Sequence, residues 1–100
     1  MEKQSPHYDL DEVKAIVGRR GADAFTKTAL RGIDDMALTY AEGVMVMLGL
    51  QRSMLFKSMT TYADHRVWQD VYHTTCQNDK TAYLKLTLQD GALVIQFKEK

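Results

Sequence analysis

The chain is 100 residues long, the size of one ordinary domain. Hydrophobic residues make up 45% and charged residues 26%, so the chain can bury a core, and a single Pro with 6 Gly excludes collagen-like and low-complexity classes. Lys and Arg number 13 and so do Asp and Glu, which excludes a nucleic-acid binder acting through bulk charge and leaves open only a local basic face.

One cysteine, Cys76, excludes an internal disulfide. With His7, His65 and His73 scattered, no zinc-ligand spacing exists and no metal or other cofactor is expected. The polar start lacks the pattern of a signal peptide, and Val44–Leu50 falls far short of the ~20 apolar residues that span a bilayer. A cytoplasmic protein forming one domain over residues 1–100 is the expectation.

Asp9, with Glu12 three residues on, predicts a capping box. Leu10, Val13, Ile16 and Val17 follow at helical spacing, and Gly18 and Gly21 end the run around Arg19-Arg20. Ala22–Thr26 reads as a short extended piece. A second helix starts from Thr26 or Thr28 and carries Leu30, Ile33 and Met36 on one side. Thr39-Tyr40-Ala41-Glu42 is another capping box, and Gly49 is the C-terminal stop of the third helix. Val44, Met45, Met47 and Leu48 predict that this helix is the most buried.

After Gly49 the hydrophobic period changes from helical to alternating. Strands are predicted near Leu55–Thr61, Val67–Tyr72, Ala82–Leu88 and Ala92–Phe97, the last two joined by Asp90-Gly91, a strong hairpin signal. His73–Thr81 reads as a long polar connection, with Cys76 an incidental thiol within it. Helices first and an antiparallel meander second define an α+β class.

Alternation assigns the faces. Leu84, Leu86 and Leu88 should meet the helices, leaving Tyr83 and Lys85 on the other face. One neighbouring strand divides into Val67, Gln69 and Val71 against Trp68, Asp70 and Tyr72, which makes Trp68 a core residue. The strand before it divides into Lys57, Met59 and Thr61 against Phe56, Ser58 and Thr60. One register brings Lys57, Gln69 and Tyr83 together, grouping a cation, an amide and a phenol; a slip of one residue would scatter them. Each alone has a plainer reading, as a solvated or packing strand residue.

Several of these stretches carry a resemblance. Phe56-Lys57-Ser58-Met59-Thr60-Thr61-Tyr62, Val67-Trp68-Gln69-Asp70-Val71-Tyr72, Tyr83-Leu84-Lys85 and Phe97-Lys98-Glu99-Lys100 resemble, in this order, the MqsR family of toxins from bacterial type II toxin–antitoxin pairs. Met1-Glu2-Lys3, Pro6-His7 and Val13-Lys14 are similar too. The resemblance implies a RelE-like fold and a metal-independent endoribonuclease that cuts messenger RNA at GC-containing sites. It implies activity at Lys57, Gln69 and Tyr83. It also implies an antitoxin partner with a zinc-binding region and a helix-turn-helix region, so that contact with DNA runs only through the complex.

RNA supplies its own nucleophile, the 2′-hydroxyl, which attacks the adjacent phosphorus. The protein must then align the attack, stabilise charge and move two protons. Lys57 suits the phosphoryl charge, and Tyr83 suits proton exchange. Gln69 suits orientation of the sugar or phosphate. Lys85 and, more weakly, Lys98 are candidate RNA contacts, as is His65 near the same face. The alternative is a non-catalytic RNA- or protein-binding module on the same fold.

Overall fold

The computed structural model describes residues Met1–Lys100. Five strands, β1 (Glu2–Lys3), β2 (Leu55–Thr60), β3 (Trp68–Thr75), β4 (Thr81–Gln89) and β5 (Ala92–Glu99), form one sheet in that spatial order. Every neighbouring pair is antiparallel. Three helices, α1 (Leu10–Arg20), α2 (Lys27–Asp35) and α3 (Tyr40–Leu48), pack on one face. The α+β arrangement read from the sequence is therefore the observed one.

Alternation in β4 explains the core directly. Ala82, Leu84, Leu86 and Leu88 are buried, as are Leu93, Ile95 and Phe97 of β5. They meet Leu10, Val13, Ile16 and Val17 of α1 and Ala29 and Ile33 of α2 in one cluster. Burial of such side chains contributes roughly 1.5–3 kcal/mol each before the entropy of ordering is counted. The Asp90-Gly91 turn holds positive φ at both positions, 52° and 78°, so the hairpin closes with the twist its strands need.

The helix starts are fixed by side chains. Thr39 and Glu42 form the expected reciprocal box, with the Glu42 amide donating to Thr39 Oγ1 at 3.1 Å and the Thr39 amide donating to Glu42 Oε1 at 2.8 Å. Thr26 begins α2: its Oγ1 accepts from the Ala29 amide at 3.0 Å and donates to the Ile95 carbonyl at 3.2 Å. That second bond ties α2 to β5. The helix then crosses so close that a Cβ on Gly32 would sit 1.7 Å from the Phe97 carbonyl oxygen. Gly32→Ala should therefore lower stability by about 1–3 kcal/mol despite the better helix former, a loss readable as a lower urea midpoint.

Other expectations are corrected. Asp9 caps α1 by accepting from the Asp11 amide, with no box through Glu12. The end of α1 at Arg20, where Gly21 turns to φ +59°, agrees with the expected stop around Arg19-Arg20. Gly21–Ala24 is a 3-10 turn, not an extended piece. Helix α3 is not the most buried: only Gly43 and Met47 are enclosed, while Met45 is 63% exposed. Its apolar residues lie around much of the helix, and packing needs only one side.

The polar stretch after Tyr72 is partly strand. β3 continues to Thr75, and a short turn follows, in which the Cys76 amide donates to the Lys80 carbonyl at 2.8 Å. Asn78 Nδ2 pins that turn to the Met36 carbonyl at 2.8 Å. Cys76 is buried in the core cluster, and burial pushes its thiol up.

Tyr72, also in the core, has its phenol pushed up to about 12, chiefly by burial and next by the Asp70 charge. The unfolded chain loses this proton near pH 10, whereas the folded chain keeps it. Stability should thus hold below about pH 10 and fall by on the order of 2–3 kcal/mol towards pH 12. Denaturation midpoints across that range, flatter in Tyr72→Phe, check the sign.

Candidate active site

The helices cover one face of the sheet and leave the other open. Three ladder rows organise the open face. In the central row Lys57 pairs with Val71, and Val71 with Lys85. In the row below, Glu2 pairs with Met59, and Met59 with Gln69. In the row above, His73 pairs with Tyr83, and Tyr83 with Lys98.

Lys57, Gln69 and Tyr83 therefore share a face, as one of the registers open to the sequence would allow. They do not lie side by side. Gln69 and Tyr83 are set four residues apart along the strands, about 13 Å, with the Lys57 row between them. Lys85 links the levels: its Nζ stands 5.9 Å from the centre of the Tyr83 ring, and Lys98 Nζ stands 5.0 Å from it. Burial and then the charges of Lys98 and Lys57 hold the Lys85 ammonium below the ordinary lysine range. Such a cation gains by meeting an anion.

A groove of about 710 Å³ runs over the lower two rows. Lys57, Gln69, Lys85 and His65 line it, and Tyr83 stands just beyond. His65 is carried by the turn between β2 and β3. There Thr61 Oγ1 accepts from the Asp64 amide at 3.0 Å, and Asp64 Oδ1 accepts from the Arg66 amide at 2.9 Å.

Glu2 is the one carboxylate in the groove. Its Oε1 accepts from Lys57 Nζ at 2.7 Å, and that hydrogen bond, followed by the lysine charge, lowers the Glu2 carboxyl. Strand β1 is held in place at both ends. The Met1 ammonium donates to Thr60 Oγ1 at 3.0 Å. Behind the strand, the His7 and Tyr8 amides donate to the buried Asp70 carboxylate at 3.0 and 2.9 Å, and Ser58 Oγ donates to it at 2.6 Å. Asp70, on β3 next to Gln69, thus ties the segment after β1 and strand β2 to its own strand.

Three residues of this face escaped the sequence reading. Glu2 sits on a strand of two residues, too short to show a period. Phe56 was expected opposite Lys57, but a bulge between Leu55 and Lys57 shifts the register, and Phe56 joins the open face. It is 49% exposed and stacks on His73 with ring centres 4.5 Å apart.

His73, expected at the surface beside a turn, lies within β3 between Phe56 and Tyr83. Its Nε2 is buried without a hydrogen-bond partner, and burial, then the Lys100 charge, holds the imidazole below the ordinary histidine range. Trp68 is corrected as well. It lies outside the core cluster, stacked against His7 at 5.2 Å with Lys3 Nζ 4.3 Å over its ring.

The balanced net charge hides a separation. Residues 9–48 carry Asp9, Asp11, Glu12, Asp23, Asp34, Asp35 and Glu42 against Lys14, Arg19, Arg20, Lys27 and Arg31, a small acidic excess, whereas the open sheet face carries Lys57, Lys85 and Lys98 against Glu2. A face of this kind, with cations over stacked aromatic rings, suits a single-stranded polyanion carrying bases.

A helix-backed sheet with such a face is the form of a small ribonuclease toxin, and the chain belongs to a toxin family. The family described as "Motility quorum-sensing regulator, toxin of MqsA" matches residues 5–99. The chain is 41% identical over 100 residues, 100% of both proteins, to the mRNA interferase toxin MqsR of Escherichia coli (strain K12).

Proposed function

We propose that the chain is an endoribonuclease toxin that cuts messenger RNA on the open sheet face without a metal ion. The 2′-hydroxyl of the substrate attacks its own phosphate, and GC-containing sites are preferred. Support comes from membership of the toxin family and from the shared face of Lys57, Gln69 and Tyr83. The single observation that carries the reading is the groove in which the Lys57 ammonium and the Gln69 carboxamide stand together with Lys85.

Lys57 stabilises charge on the phosphoryl oxygens, as a point cation with three donors. Gln69 orients the ribose or the phosphate. Tyr83 exchanges a proton, with the Lys85 and Lys98 ammonium groups standing beside its ring. Lys85 and Lys98 hold neighbouring phosphates, and His65 meets the chain at the mouth of the groove. Phe56 offers a base a flat surface. The three helices and the sheet act as one domain, working in the cytoplasm; no helix is long and apolar enough to cross a membrane.

A nuclease of this kind needs a tight inhibitor. We assign that role to an antitoxin with a zinc-binding region and a helix-turn-helix region, through which the complex meets DNA.

The test is cleavage of a long messenger RNA by the purified chain in EDTA, with Lys57→Ala, Gln69→Ala and Tyr83→Phe in parallel. Discrete cuts by the parent and weaker cutting by all three variants are expected. Intact RNA with a retained mobility shift would identify a binding module instead.

A further inference from the structure

We propose that Glu2 is the general base that takes the proton from the attacking 2′-hydroxyl. The inference rests on the endoribonuclease reading above and names a group which that reading lacks. At neutral pH a general base must be deprotonated, and of the two candidates in the groove His65 rides on the turn between β2 and β3, whereas Glu2 touches Lys57. Lysines and a phenol are mostly protonated there, and a carboxamide does not titrate. Glu2 is the only carboxylate in the groove and is ionised at pH 7.

Its position fits an in-line displacement. Across the face the order is Glu2 on β1, Lys57 on β2, Gln69 on β3 and Lys85 on β4. All four line the same groove. A phosphate held by Lys57 and Gln69 has a carboxylate on one side and an ammonium on the other. Entry of RNA turns Lys57 from Glu2 to the phosphate. The carboxylate then loses the hydrogen bond that weakens it as a base, so substrate binding itself activates it.

The step balances. The 2′-hydroxyl proton passes to a Glu2 oxygen as the O2′–P bond forms. The P–O5′ bond breaks with its electron pair on O5′, which takes a proton from the Lys85 ammonium, and Tyr83, standing beside Lys85, passes it the replacement proton from solvent. The products are a 2′,3′-cyclic phosphate and a 5′-hydroxyl, and solvent restores Glu2 and Lys85.

Glu2→Gln is the discriminating variant. The amide oxygen still accepts from Lys57, so positioning survives, but the group no longer takes a proton. Single-turnover cleavage at pH 7 should fall at least about 100-fold. Affinity for an analogue with a 2′-deoxyribose at the cut site should stay within about threefold of the parent's. Between pH 6 and 8 the parent rate should be nearly flat, whereas in Glu2→Gln the logarithm of the rate should rise with a slope near one as hydroxide replaces the base.

A Glu2→Gln rate within about threefold of the parent's, or a loss of rate matched by an equal loss of affinity, overturns the proposal. Lys57→Ala separates the two levels. If Glu2→Gln is fast while Lys57→Ala is slow, only the base is misassigned. If both are fast, the reading of the groove as the cleavage site fails.

Discussion

Lys57→Ala is expected to lower RNA cleavage about 100- to 1000-fold at neutral pH, the usual cost of removing one preorganised donor from a developing oxyanion. The Lys57 side chain is 26% exposed, and its carboxylate partner is open to water at 58%. An exposed pair of this kind contributes little to stability, so the variant should unfold at nearly the parent midpoint. Lys57→Arg should recover part of the rate, because it keeps the charge while changing the shape of the donor. Single-turnover cleavage beside a circular-dichroism melt separates chemistry from folding. A Lys57→Ala rate within about threefold of the parent's would remove the groove from the mechanism.

The largest effect on stability belongs to Asp70. Its carboxylate is almost fully enclosed, at 1% exposure. It accepts from two backbone amides and one hydroxyl that come from distant parts of the chain. Asp70→Ala leaves the His7 and Tyr8 amides and the Ser58 hydroxyl without their acceptor, at a cost of about 3–5 kcal/mol. Ser58→Ala, which removes one donor and leaves the two amides in place, should cost only about 1 kcal/mol.

Urea unfolding of the two variants checks the ratio. Asp70→Ala should also slow cleavage, since the segment it releases carries Glu2 to Lys57. Near-parent stability in Asp70→Ala would mean that the amides find other partners and that β1 is not held from behind.

What the chain reveals before folding depends on how many residues share a pattern. Leu84, Leu86 and Leu88 repeat over a long strand, and a slip would expose all of them, so their face is legible. Thr39 with Glu42 and Asp90 with Gly91 are local chemistry, readable within a few residues. The α+β class follows from the change of period after Gly49.

Features set by one residue or by distant contacts were not legible. The bulge at Phe56 turns one ring to the other face without a composition signal. His73 to Thr75 read as loop because both faces of that strand end are polar or aromatic, although the backbone ladder continues through them. Cys76 is buried because Asn78 fastens its turn to the end of α2, a contact across 42 positions. Glu2 reaches Lys57 across 55 positions on a strand that exists only because β2 offers it an edge. For the candidate site, the shared face of Lys57, Gln69 and Tyr83 was accessible from alternation. Their spacing on that face, and the carboxylate beside Lys57, needed the register.

The account as a whole requires that the substrate supply its own attacking oxygen. The most direct measurement uses two otherwise identical oligonucleotides in EDTA, one entirely ribose and one with a single 2′-deoxyribose on the 5′ side of the mapped cut. The first should yield a 2′,3′-cyclic phosphate and a 5′-hydroxyl, and the second should bind and stay whole at that bond. Cutting of the deoxy-substituted bond, or a 5′-phosphate on the downstream fragment, would contradict it.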